Sequence, residues 1–147
     1  MTKFEKTIEI RWADLDPNFH VLHSKYYDFG AYSRMSFFTE HGITVQTMQE
    51  HHIGPIVFRE ECVFKSEIKF GDTLTVNLML VKTTEDYRKW TLQNEIWKNG
   101  DTLAAVITVE GSWMDTVSRK VTMPPAKFKH CFEAIPKSPG FELIHKI

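Results

Sequence analysis

Apolar and polar side chains alternate from Phe4 to Trp12: Phe4, Lys6, Ile8 and Ile10 share one parity, and Glu5, Thr7, Glu9 and Arg11 the other. A two-residue period predicts a strand with one wet face. Asp14 to Asn18 breaks it, with Pro17 and Asn18 as turn formers. After Ser24 the chain is apolar or aromatic on nearly every side (Tyr26, Tyr27, Phe29, Ala31, Tyr32, Met35, Phe37, Phe38) until His41-Gly42. This predicts a long helix with Ser24 as N-cap and Gly42 as its stop, enclosed by protein on most faces. Gly30 in its middle costs about 1 kcal/mol against alanine, tolerable where a strand or ligand approaches closely.

Residues 44 to 52 suit a short second helix capped by Thr44 and ended before Gly54-Pro55. The remainder alternates as strands. Ile56 to Phe70 reads as one long strand, bent around Arg59-Glu60-Glu61 where the apolar parity changes. Gly71-Asp72 is a turn, Thr73 to Val81 a strand, Thr84 to Arg88 a turn and Lys89 to Lys98 a strand. Asn99-Gly100-Asp101 is a hairpin turn, followed by a strand from Leu103 to Met114. Pro124-Pro125 interrupts the pattern, and Pro125 suits the first turn of a last helix through Ala126 to Ile135. The tail after Pro136, with Pro139-Gly140, is expected to be loosely held. Strand, long helix, short helix and four further strands predict an α+β fold, a five-stranded antiparallel sheet curled round the long helix.

Composition narrows the class. At 147 residues, 42% hydrophobic, the chain suits one domain spanning 1–147 with one sizeable core. A formal charge of −1 argues against a nucleic-acid binder that relies on phosphate neutralisation. Cys62 and Cys131 are too few and too far apart for a disulfide framework or a metal or redox pair, so reduced thiols in a cytoplasmic protein are expected. No apolar run reaches the ~18 residues of a membrane span, and the first residues lack a signal-peptide core. His51-His52 is read as a solvated turn, since adjacent residues on a helix do not face one metal and no third ligand is near.

The loop from Arg11 to Tyr27 holds the candidate chemistry. It carries Asp14, Asp16, Asn18, His20 and His23, more ionisable and polar groups than a connection needs for folding. Its end is a helix N-terminus at residues 22 to 25, where free N–H groups and the helix dipole favour a developing oxyanion. Asp16 is the base or nucleophile candidate, and Asp14 is expected to fill a strand-end or capping role. His20 stays open between packing under the loop and contacting a bound group, and Asn18 between support and catalysis.

These residues also carry a resemblance. The element order, with Asp14-Leu15-Asp16, His20-Val21 and His23-Ser24-Lys25-Tyr26, resembles the hotdog fold and the signature of the 4-hydroxybenzoyl-CoA thioesterase group. The resemblance implies an acyl-CoA thioesterase without metal or redox cofactor. Asp16 is then the catalytic carboxylate, and the backbone N–H groups at His23 and Ser24 polarise the thioester carbonyl. In the branch associated with the Tol-Pal system a His at the place of His23 belongs to the active site, and Trp12 falls where that branch has an aromatic residue. Arg88 and Lys89 match in position a basic cluster that contacts the nucleotide of coenzyme A, and Arg119-Lys120 is a second cationic candidate. Asp16-x-Asn18-x-His20-Val21 also resembles the catalytic segment of acyl-carrier-protein thioesterases, although Leu22-His23 follows where those enzymes usually have two Asn. The layout with a catalytic Glu in mid-helix is disfavoured, because Tyr32-Ser33-Arg34 occupies that region. The family's sites lie between subunits, which implies a homodimer or homotetramer. The alternatives are hydrolysis of an acyl-carrier-protein thioester and a hotdog module that binds acyl-CoA without turnover.

Overall fold

A computed structural model describes residues 3–145. The first strand, β1 (Glu5–Ile8), is shorter than its alternation, and a single 3-10 turn at Trp12–Asp14 leads into the loop. Helix α1 spans Lys25–Glu40 and stops where expected: Gly42 takes a positive φ of 83°, and its N–H bonds to Thr39 O at 3.1 Å. Ser24 precedes the helix but is itself helical (φ −66°, ψ −26°) and makes no side-chain cap. Within one chain α1 is not enclosed on most faces. Tyr26, Phe29, Gly30, Ser33, Phe37 and Phe38 are buried as a single stripe at three- and four-residue spacing, while Asp28, Tyr32, Thr39 and Glu40 are exposed or only half-buried.

Helix α2 (Val45–His51) is capped by Thr44, whose hydroxyl accepts the Thr47 N–H at 3.1 Å. His51 bonds Thr47 O and His52 turns the chain in a left-handed conformation, so the pair shares no ligand position. Among the described residues the sheet has eight strands rather than five. They are β1, β2 (Ile53–Phe64), β3 (Leu74–Asn77), β4 (Met79–Thr84), β5 (Lys89–Lys98), β6 (Thr102–Asp115), β7 (Lys120–Thr122) and β8 (Lys137–Ile144), with α3 (Ala126–Glu133) between the last two. The expected long second strand ends at Phe64, and residues 65–73 form a loop; its bend is a bulge between Val57 and Arg59. The expected strand from Thr73 to Val81 is split at Leu78, and both halves pair with β5. Pro125 is the N-cap of α3, one position earlier than the first turn, and α3 ends at Glu133.

The tail is the largest departure. Instead of lying loose, residues 137–144 form β8 and pair in parallel with β4, closing that edge of the sheet. At the opposite edge, β2 pairs with β6 in antiparallel register over its 12 residues, and its other side has no strand partner among the described residues. Val57, Phe58, Val63 and Phe64 are exposed along it.

The buried α1 stripe lies against fully buried Leu74, Val76, Leu80, Leu92, Ile96 and Ile107 of the sheet. Burying each such side chain contributes about 1.5–3 kcal/mol before chain entropy is charged against it. Gly30 has the close neighbours its position called for: a Cβ there would lie 3.1 Å from both Asn94 Oδ1 and Ile107 Cδ1. No helix among the described residues is long and apolar enough to cross a membrane.

Candidate functional site

The loop between β1 and α1 is a small hairpin. Leu22 N–H bonds Asp14 O at 2.8 Å, Leu15 bridges Val21, and Asp16 N–H bonds His20 O at 2.8 Å. Its returning arm is pinned to the 65–73 loop by Val21 N–H on Ile68 O at 2.8 Å and by a His20–Lys69 bridge. Local chemistry shapes the tip: proline sets φ at Pro17, and Phe19 turns through a positive φ of 65°.

The two carboxylates of this hairpin differ in surroundings. Asp14 is 1% exposed and receives the Arg11 amide at 2.9 Å, Arg11 Nε at 3.3 Å and Arg11 Nη2 at 2.9 Å. Burial alone would raise its carboxyl, but the Arg11 hydrogen bonds, with the charges of Arg11 and Lys25, outweigh it and hold Asp14 below the usual carboxylate range. Asp14 thus has the strand-end role expected of it. Asp16 is half-buried, and its Oδ1 accepts the amides of Asn18 at 2.8 Å and His20 at 3.0 Å. Its Oδ2 has no hydrogen-bond donor among the described residues. A carboxyl group held by two amides on one oxygen is oriented, with the other oxygen available to a water or a carbonyl carbon.

Asn18 contributes its backbone N–H, and its side chain is exposed. The His20 ring reaches Glu67, with Nε2 3.4 Å from Oε2, so in the single chain it faces the 65–73 loop. At the helix mouth, Lys25 N–H closes a turn on Leu22 O at 2.9 Å, and the amides of His23 and Ser24 meet no acceptor among the described residues. His23 lies with its ring 6.5 Å from Phe64 on β2. Beside the hairpin, Trp12 (70% exposed) packs on Phe19 and Phe70, ring centroids 6.0 and 5.7 Å apart.

The cations lie elsewhere. Lys89 and Ile56 both register with Ser112, whereas Phe64 at the helix mouth registers with Ala105. From Ile56 to Phe64 the sheet runs about 25 Å at 3.3 Å per residue, so one chain does not bring Arg88 and Lys89 to its own helix mouth. Arg88 approaches Asp86 at 3.7 Å, and exposed Lys89 lines a shallow cavity of about 300 Å³ with Phe58, Lys82 and Glu110. Arg119 and Lys120 are exposed at the hairpin into β7. Among the described residues, the principal cavities of the single chain are lined without Asp16, Asn18, His20 or His23. Among the same residues, no group of three or more His, Cys, Asp or Glu is placed to hold a metal.

A polar group in the middle of α1 escaped the sequence reading. Arg34, with 12% of its side chain exposed, donates to Asn94 Oδ1 at 2.8 Å and to Glu60 Oε2 at 3.2 Å. Asn94 is fully buried and donates to Asn77 O at 2.7 Å, and Asn77 joins Glu95 across the sheet. The signal was present in β5: Trp90, Leu92, Asn94 and Ile96 share the buried parity, and Asn94 is its one polar member.

A long helix lying on a curved antiparallel sheet, with a hairpin delivering the chain to the helix N-terminus, is the hotdog fold. The chain belongs to the Thioesterase-like superfamily, whose sequence profile matches residues 10–132. By that membership it is a thioester hydrolase. A search of curated proteins finds no match. Solved structures share the fold. A hypothetical protein from Staphylococcus aureus in complex with CoA is 20% identical, covering 93% of this chain and 88% of that one, at a TM-score of 0.82. A 1,4-dihydroxy-2-naphthoyl-CoA thioesterase from Synechocystis is 16% identical, covering 90% and 97%, at 0.80. A DHNA-CoA thioesterase from Staphylococcus aureus is 17% identical, covering 90% of each chain, at 0.80.

Proposed function

We propose that the protein hydrolyses acyl-CoA thioesters to the free acid and coenzyme A, with Asp16 as the catalytic carboxylate and the helix mouth at His23–Ser24 as the oxyanion site. The observation that carries the reading is an oriented carboxylate with one oxygen unused and, just past the same hairpin, two amides that meet no acceptor among the described residues. A thioester carbonyl set against those amides gains hydrogen bonds as its oxygen becomes negative, while Asp16 attacks the carbonyl carbon or takes a proton from the attacking water. A positioned base contributes about 10²–10⁴ in rate and one oxyanion donor about 10²–10³. Thiolate is a good leaving group, so these two terms suffice without further acid catalysis.

The working unit in this proposal is a two-fold dimer joined through β2. The open edge of β2, with four exposed apolar residues, is a surface that soluble proteins cover. An antiparallel pairing of two such edges sets the Arg88–Lys89 end of each subunit beside the partner's helix mouth, where these cations add to Lys25 of the first helical turn in meeting the phosphates. CoA bound to the Staphylococcus aureus neighbour is consistent with that ligand class.

The test is thiol release from a panel of acyl-CoAs and acyl-carrier-protein esters, with light scattering on the same sample. Turnover of the CoA esters by a dimer or tetramer is expected. Faster turnover of carrier-protein esters would move the substrate to that carrier, and CoA binding without turnover would make the protein a binding module.

A further inference from the structure

The seam between α1 and β2 has three levels, taken in order because residue numbers rise along the helix as they fall along the strand. At the helix mouth, the rings of His23 and Tyr26 lie 6.5 and 4.9 Å from Phe64. Midway, Arg34 reaches across to Glu60 at 3.2 Å while holding Asn94 at 2.8 Å. Arg34 is also one wall of a cavity of about 160 Å³ that extends past the pair and is lined further by Met35, Phe38, Val57, Trp90 and Val109. An apolar hole of that size accommodates a group such as a benzene ring. On β2, Glu60 and Cys62 are half-buried and alternate with exposed Arg59, Glu61 and Val63, so the strand turns those two toward the helix.

We propose that the Arg34–Glu60 pair is the acyl-length stop of this enzyme: it closes the seam between the helix mouth and the apolar cavity, and limits the acyl group to the stretch before it. The proposal rests on the thioesterase reading of the helix mouth. From Ser24 to Arg34 the helix advances about 15 Å at 1.5 Å per residue. From Phe64 to Glu60 the strand advances about 13 Å at 3.3 Å per residue. An extended alkyl chain gains roughly 1.25 Å per carbon–carbon bond, so about ten carbons fill the distance. A longer chain has to separate the two charges, which leaves the largely buried Arg34 guanidinium without its carboxylate, and the burial of a few more methylenes does not repay that. Asn94 strengthens the stop, because its Oδ1 has no other donor among the described residues and holds the guanidinium in place. With the pair removed, the cavity behind it becomes the end of a longer tunnel.

The experiment is kcat/KM of the full chain on saturated acyl-CoAs from acetyl to palmitoyl, for wild type, Arg34→Ala/Glu60→Ala and Val109→Phe. Wild type is expected to fall about tenfold or more beyond about ten carbons, and the double variant to recover about tenfold on the longest esters with the short ones little changed. Val109→Phe fills the cavity behind the stop and is expected to leave the wild-type profile as it is. A wild-type rate that keeps rising to palmitoyl, a double variant with the same cut-off, or a Val109→Phe variant that loses the longer esters would each overturn the proposal. Should the double variant not fold, Val109→Phe alone still decides whether chains pass the pair. If no ester is hydrolysed the thioesterase reading fails, and calorimetric binding of the same esters reads the stop separately: equal affinities for long chains with and without the pair would overturn it.

Discussion

The base and the tip of the hairpin before α1 each carry an aspartate and use it in opposite ways. Asp14, the earlier of the two, is buried and takes three hydrogen bonds from Arg11 on its two oxygens. Asp16, at the tip, commits one oxygen to the turn and keeps the other free. One carboxylate fixes where the loop sits and the other is held at the place where the loop points. A carboxylate in this site is therefore assigned by its unused bonding capacity, and its proximity to a helix mouth does not decide the matter.

Apart from loss of the Asp16 charge, breaking the helix-mouth side should have the largest effect. His23 is the first inner residue of the turn closed by Leu22 O and Lys25 N–H, a position where proline's φ is at home, so His23→Pro removes an amide without disturbing the fold. Turnover is expected to fall about 10²–10³-fold with the melting temperature nearly unchanged, measured by steady-state kinetics and calorimetry. Breaking the structural arm should move the other readout. Asp14→Ala leaves the Arg11 amide and guanidinium without their acceptor and is expected to cost about 1–3 kcal/mol. That corresponds to a melting temperature lower by roughly 3–10 °C for a chain of this size, with kcat per folded molecule retained.

Acid should act on the same arm. The Asp14 carboxyl is depressed in the folded chain, so its stabilisation is fully present above the ordinary carboxylate value of 3.8 and is lost as pH falls through the lower folded value. The stability gap between wild type and Asp14→Ala, from urea unfolding at stepped pH, is therefore expected to be constant above about pH 5 and to narrow below the ordinary value. A gap that widens in acid would reverse the sign of the argument. The smallest effect is expected from His23→Ala, which keeps the backbone N–H and loses only the ring. Less than about a tenfold change in kcat/KM is expected, whereas a loss matching that of His23→Pro would assign the ring itself a role in the chemistry.

Much of the fold is legible in local chemistry. The turn at Asn99-Gly100, the stop at Gly42 and the Thr44 cap rest on residues whose conformational preference is local, and each lies where its chemistry put it. Asp14 and Asp16 share a motif, and their separate roles follow partly from Arg11 three residues before the first of them. The misreadings fall where long-range pairing decides. Residues 137–144 lack alternation and contain Pro139-Gly140, so nothing local marks a strand; β8 exists because the edge of β4 offers it partners. The split at Leu78 is a matter of how β3 and β4 register on β5, and a continuous alternation conceals it. The Arg34–Asn94 contact joins residues far apart in the chain, and only the polar Asn94 on an apolar parity hints at it. The cations at Arg88 and Lys89 were read from position alone, and their distance from the helix mouth in one chain makes a second subunit necessary to that reading.

The central claim is that Asp16 does chemistry while Asp14 holds structure, and Asp16→Asn tests it most directly, because asparagine keeps the oxygen that accepts the Asn18 and His20 amides and replaces the free, reacting oxygen with an uncharged NH2. The account predicts kcat/KM on an acyl-CoA that is about 10²–10⁴-fold lower, with an unfolding midpoint equal to wild type. Undiminished turnover in that variant, or a loss of activity that follows a loss of fold, would contradict it.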